Sequence, residues 1–241
     1  MATLLAQISD PHLRLGDPDP EASLARAVAA VNALPSPPDA VVLTGDVADA
    51  ALPEEYAAAR AILRDLDAPL HVLPGNHDKA EPFADAFGAT AWATTIGGLR
   101  LVGCDTSVPG RPEGSLSLDW LEERLGEDRA TPTIVAMHHP PFDVGMLALD
   151  AIGLPPRQRT ALAELLRRNP HVHRVISGHV HRSATADALG TCAVLACTSV
   201  HAQTRLEIGS TTFDLSPGEP AGFMLHALLD SGALVSHAQP L

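Results

Sequence analysis

"LHVLPGNHD", Leu70 to Asp78, is an apolar run that stops on a proline and a glycine, then presents an amide, an imidazole and a carboxylate in succession. Asn, His and Asp all suit turns, so in isolation the stretch reads as a strand and its polar exit loop. The same event recurs along the chain. Apolar runs end in "ISDPH" (8–12), "LTGD" (43–46), "VAMHH" (135–139) and "ISGHVH" (176–181). About five predicted strands therefore finish on a side chain able to bind a metal, and a series of independent turn residues does not explain that repetition.

Between these runs the apolar spacing changes. "EASLARAVAAVNAL" (21–34), "PEEYAAARAILRDL" (53–66), "SLDWLEERL" (117–125) and "PRQRTALAELLRRNP" (156–170) carry apolar residues at helical steps. Pro53 followed by two acids marks a helix N-terminus. "LRLVGCDTS" (99–107) reads as a further strand. Strands alternating with helices predict βαβ units with helices covering a sheet. After Arg182 the helical period weakens. "ATADAL" (184–189), "CAVLACTS" (192–199), "TTFDLS" (211–216) and "GFMLHALL" (222–229) predict an antiparallel strand set toward the C-terminus. No internal repeat or low-complexity linker divides the chain. The expectation is an α/β fold in one layered domain over 1–241, with two sheets packed on each other and helices outside.

Composition bounds the partners. The 241 residues suffice for a substantial core, and 46% are apolar but only 3% aromatic, so Ala, Val, Leu and Ile must fill it. A net charge of −13 repels nucleic-acid backbone and disfavours a DNA or RNA binder. No apolar run approaches the ~20 residues of a membrane span. The start "MATLLAQISD" lacks a basic segment and a cleavage site, and reads as a mature N-terminus in the cytoplasm. Cys104, Cys192 and Cys197 lie in apolar contexts without a CxxC pair, as buried thiols in a reducing compartment would. A Cys192–Cys197 bridge is the less favoured reading.

In open α/β sheets the loops at the carboxyl ends of strands converge on a site. There Asp10, His12, Asp46, Asn76, His138, His179 and His181 would meet. Asp10 and His12 are two apart, as are His179 and His181, and in an extended exit such pairs face one way. Two carboxylates, an amide oxygen and four imidazoles exceed the ligands of one catalytic zinc and fit two metals sharing a carboxylate. The absence of thiolate and the four imidazoles suit Mn, Fe, Zn or Co rather than Mg or Ca. Two such ions would also supply the local positive charge that an acidic protein needs to attract phosphate. His139, beside His138, suits a structural role at least as well. His201 and Gln203 could rim the pocket, and Arg111 and Arg182 could touch substrate, although surface positions suit all four. His71, His171, His173, His226 and His237 read as background.

"DPH" (10–12), "GD" (45–46), "GNHD" (75–78), "HHPP" (138–141) and "GHVH" (178–181) together resemble the calcineurin-like metallophosphoesterase superfamily over roughly residues 3–200. Within it the chain looks most like the class III cyclic-nucleotide phosphodiesterase and glycerophosphodiesterase branch, which "CDTSVPG" (104–110) and "EGSLSLDWLEERL" (113–125) also resemble. The resemblance implies a four-layer αββα sandwich. It implies that Asp10, His12 and His181 hold a first metal, that Asn76, His138 and His179 hold a second, and that Asp46 bridges them. It implies in-line hydrolysis of a small phosphodiester, such as 3′,5′-cyclic AMP or a glycerophosphodiester, by a hydroxide shared between the metals. His77 would contact the phosphate and protonate the leaving group, Asp78 would orient His77, and His201 would join Asn76 and His77 at the substrate. Relatives often form homodimers. Monoesterases of this kind commonly carry an Arg before "GN" as a clamp on the dianion. Pro74 stands there instead, which favours a diester over a phosphomonoesterase or protein phosphatase. A nuclease is disfavoured by the acidic surface. A metal-binding scaffold without catalysis is disfavoured because every ligand position is filled.

Overall fold

The computed structural model describes residues 2–187, 189–190, 192–216 and 218–241. Met1, with the reading of a mature N-terminus, and Ala188, within the run predicted as a strand at 184–189, lie outside the described residues.

The first sheet is built on three parallel strands, β1 (Thr3–Ile8), β2 (Ala40–Thr44) and β3 (Leu70–Leu73). Helices α1 (Pro18–Asn32) and α2 (Pro53–Leu63) connect them, and α3 (Ala80–Phe87) follows β3. The second sheet is built around β5 (Leu99–Cys104), β6 (Thr133–Met137) and β7 (Val172–Ser177), also parallel, with antiparallel β4 (Trp92–Ile96) at its edge. Helices α4 (Leu118–Glu127), α5 (Leu147–Asp150) and α6 (Pro156–Arg167) lie between these strands in sequence.

Strand β2 shows why four layers result. Its residues are buried on both faces, and successive side chains point to opposite sides. Val41 and Leu43 pack with Leu24 and Val28 of α1 and Tyr56 of α2. Ala40 and Val42 face the other way, against Leu99, Leu101, Ile134 and Ile176 of the second sheet. In β6, Val135 and Met137 meet Leu121 of α4 and Leu162 of α6. Helices, sheet, sheet and helices therefore stack in that order, as an αββα sandwich. No helix among the described residues is long and apolar enough to cross a membrane.

The C-terminal strands depart from expectation. They do not form one antiparallel set but divide between the sheets. β8 (Ala184–Ala186) and β9 (Ala193–Ala196) extend the second sheet, where β9 pairs parallel with β7. β12 (Gly222–Leu228) returns antiparallel to β1 and carries β13 (Leu234–Pro240) at the edge of the first sheet. Between them β10 (Gln203–Thr204) and β11 (Leu215–Ser216) form a separate two-stranded ribbon. Cys197 is a buried free thiol that donates to the Gln7 carbonyl, so the Cys192–Cys197 bridge is not formed.

Candidate metal centre

The exits of β1, β2 and β3 in one sheet and of β6 and β7 in the other meet at one end of the sandwich. All seven predicted ligands come together there. Asp10, His12, Asp46 and His181 present donor atoms within 4.8 Å of one another. His138 Nε2 lies 3.1 Å from Asn76 Oδ1 and 3.2 Å from His179 Nδ1. Asp46 joins the two groups, because its Oδ2 sits 3.4 Å from His12 Nε2 and 3.4 Å from His138 Nε2. Its Oδ1 accepts the His77 backbone N–H at 2.9 Å, which fixes the carboxylate plane.

The exits are not extended. Asp10, His12, Asp46, His179 and His181 all have positive φ, between 49° and 71°. Among the described residues only Ala51 shares this conformation without being glycine. Left-handed backbone costs an L-residue about 1–2 kcal/mol, and such strain persists where the surroundings over-determine it, most often at functional sites. Tight left-handed turns, not strand alternation, aim the pairs two apart. Asp10 and His12 reach the same group of donors, whereas His179 and His181 split, one beside His138 and the other beside His12.

Two glycines let the loops close. A Cβ on Gly75 would lie 2.5 Å from the Asp46 amide nitrogen. One on Gly178 would lie 2.8 Å from Asp10 Oδ2, with the Ser9 hydroxyl also in the way. Gly178→Ala is expected to cost about 1–3 kcal/mol of stability and to lower metal affinity. Chemical denaturation with and without added Mn checks this, and an unchanged midpoint would show that the loop has room to spare.

Hydrogen bonds to the far side of each ring choose its tautomer. His138 Nδ1–H donates to the Thr44 carbonyl and His181 Nδ1–H to the Ala202 carbonyl, both at 2.8 Å. Their Nε2 lone pairs consequently face the centre. His181 Nε2 is 3.0 Å from His12 Nε2, while His138 Nε2 faces the Asn76 oxygen. With the His138 ring neutral, its Nε2 and the Asn76 oxygen both present lone pairs, an arrangement that a cation resolves. His179 Nε2 is buried with no hydrogen-bond partner among the described residues. Burial pushes Asp46 up, but the His138 and His12 imidazoles outweigh it and hold its carboxyl well below the usual range. Burial, with help from His139 and His138, keeps His179 well below its ordinary value. Against the cost of burial, Asp46 raises His138 to about 9 and lifts His12 above its ordinary value, so the carboxylate draws positive charge to both halves of the cluster. A buried carboxylate ringed by imidazoles and an amide oxygen is the donor chemistry of a two-metal site, so the residues fit.

The remaining predicted residues take different places. His77 lies at the pocket wall with its ring edge-on to His12. Asp78 does not orient it. The Asp78 carboxylate turns inward and accepts from the amides of Gly75, Val47 and Ala48 and from the Tyr56 hydroxyl. It ties the exits of β2 and β3 together. The partner of His77 is Asp49, whose carbonyl accepts from Nδ1 at 2.9 Å and whose carboxylate stands 3.8 Å away. Sequence reading missed Asp49, and its one signal was its place three residues after Asp46 on the same loop.

His139 is a buttress. The Thr106 hydroxyl donates to its Nδ1, and its Nε2–H donates to the Pro112 carbonyl. Burial and the neighbouring His138 push it down to about 3, so it packs against His179 as a neutral ring. His201 reaches the pocket rim, with Nδ1 3.1 Å from the Ser23 hydroxyl. Gln203 is buried and donates to the Ser199 carbonyl. Arg182 holds the Thr204 carbonyl and Glu219, and Arg111 pairs with Glu113 at the surface. The pocket above the centre encloses about 330 Å³.

Residues 3–183 match the calcineurin-like phosphoesterase family. The chain is a calcineurin-like phosphoesterase. It is 35% identical to the glycerophosphodiester phosphodiesterase GpdQ of Enterobacter lignolyticus, across 89% of this chain and 84% of the relative. It is 31% identical to the 3′,5′-cyclic adenosine monophosphate phosphodiesterase CpdA of Pseudomonas aeruginosa, across 97% and 88%. The same architecture recurs in the crystal structure of a dimetal phosphatase from Danio rerio, with a TM-score of 0.77, 14% identity and coverage of 99% and 96%. That likeness bears on the fold alone. The chain's calcineurin-like phosphoesterase fold thus carries a candidate two-metal site at the strand exits.

Proposed function

We propose that this metal-dependent phosphodiester hydrolase cleaves a small diester, either a cyclic nucleotide such as 3′,5′-cyclic AMP or a glycerophosphodiester. Asp10, His12 and His181 would hold one ion and Asn76, His138 and His179 the other, with Asp46 shared. The donor set favours Mn or Fe, with Zn and Co also compatible. When bound, two such ions supply positive charge for the phosphoryl oxygens and acidify the attacking water.

The protein's own residues do the rest. Asp46 fixes the spacing of the two halves, and the backbone of His77 fixes Asp46. The His77 ring is held through Nδ1 by the Asp49 carbonyl, and its Nε2 would face the substrate. In its protonated form it gives that proton to the departing alkoxide as the P–O bond breaks. The Asp49 carboxylate stands 3.8 Å from the same Nδ1.

One observation carries the preference for a diester. Among the described residues the pocket lining holds a single guanidinium, that of Arg14, and its Nε already donates to Asp49 at 3.1 Å. Pro74, buried before the "GNHD" turn, adds no charge. A dianionic monoester would lack the fork it needs. The test is a panel of 3′,5′- and 2′,3′-cyclic AMP, glycerophosphocholine and p-nitrophenyl phosphate, assayed with the Mn-loaded protein. Diesters are expected to exceed the monoester at least about tenfold in kcat/KM, and the reverse order would reject the reading.

A further inference from the structure

The pocket has two unlike sides. One is the cluster of His, Asp and Asn at the strand exits. The other is apolar and comes from two segments far apart in sequence. Leu149 and Ile152 project from α5 and the turn after it, and Phe213 and Leu215 from the β10–β11 ribbon. The ribbon is latched at both ends. At its base the Thr204 N–H donates to the His181 carbonyl and Arg182 donates to the Thr204 carbonyl. At its far end the Gly209 N–H donates to the Gly145 carbonyl and the Ala148 N–H to the Ser210 carbonyl. The apolar side is therefore tied to the loop that carries a proposed metal ligand.

Phe213 and Leu215 are 50% and 55% exposed, in a chain with only five phenylalanines. An apolar ring held open at a pocket wall gains most from a planar, weakly hydrated partner. The polar groups opposite are committed. Asp46 lies between His12 and His138, and Asp49 is engaged by Arg14, His12 and His77. Among the described residues no other carboxylate lines this pocket to receive the ammonium of an ethanolamine headgroup.

We propose that Phe213, backed by Leu215, is a specificity-determining residue that stacks on the ring of a nucleobase-bearing diester and selects it over glycerol-based diesters. The proposal rests on the diesterase reading and narrows it.

The experiment compares the Mn-loaded full chain with its Phe213→Ala and Phe213→Leu variants on 3′,5′-cyclic AMP and glycerophosphocholine. Phe213→Ala is expected to lower the ratio of the two kcat/KM values about tenfold, mainly through KM for cyclic AMP. Phe213→Leu, which keeps apolar bulk without the ring, is expected to lower it less. An unchanged ratio, whether both rates fall together or neither moves, overturns the proposal. Calorimetry of AMP and of glycerol 3-phosphate binding to the same samples supplies a second readout. If the wild type cleaves neither diester, the diesterase reading falls and calorimetry still decides the wall. A preference for AMP that Phe213→Ala abolishes upholds it, and one that persists or never existed removes it.

Discussion

Asp46→Asn is expected to reduce kcat/KM for bis(p-nitrophenyl) phosphate by about three orders of magnitude and to reduce bound metal from two equivalents to one or fewer. The substitution is nearly isosteric and keeps Oδ1 as acceptor for the His77 amide, so the loop should hold its shape. What it removes is the negative charge between His12 and His138, each 3.4 Å from Oδ2. Taking one partner from a buried charged cluster costs about 3–5 kcal/mol, and three decades of rate correspond to about 4 kcal/mol. Elemental analysis of the dialysed protein beside the rate separates loss of the ions from loss of shape. Two retained ions with an unchanged rate would refute Asp46 as the shared ligand.

His77→Ala is expected to act differently. Its ring lies at the pocket wall and is not among the seven converging donors, so both ions should remain. General acid catalysis typically contributes about 10²–10⁴-fold. A loss of that size is expected for a diester with an alkoxide leaving group. For a p-nitrophenyl ester, whose phenolate departs without a proton, the loss should be much smaller. Equal losses on both substrates would mean that the ring orients phosphate and does not protonate the leaving oxygen. Loss of metal would mean that it is itself a ligand.

The layered fold was legible because β2 and β6 are continuous apolar runs, buried along their whole length, whose exits carry a polar donor. Strands buried on both faces advertise themselves in this way. The edge strands did not. β13, "LVSHAQP", is partly exposed along its length, and exposed strands lack a continuous apolar signal. β9 was read as antiparallel because its parallel pairing with β7 depends on the path of the chain, not on local composition. The residue types gathered at the centre could be read from the strand exits. Their left-handed backbone could not, because neither His nor Asp demands it and only contacts between loops impose it. The same limit explains Asp78. Adjacent to His77 in sequence, it faces Tyr56 and the β2 exit in space, while Asp49, 28 residues earlier, takes the position beside the imidazole.

The division of donors between two sheets bears on how the protein is made. Asp10, His12, Asp46 and Asn76 follow strands of the first sheet, while His138, His179 and His181 follow strands of the second. During synthesis the N-terminal half leaves the ribosome with both carboxylates, one amide and a single imidazole, a hard, oxygen-rich half-site selective for no transition metal. Three of the four imidazoles arrive only with the later strands, and they align only after the sheets have packed face to face. Under the proposed ligand set, metal loading would accordingly follow synthesis and depend on the finished assembly. The proposed ions would then act as a proofreader, kept by chains whose sheets have docked in register and lost from those whose sheets have not.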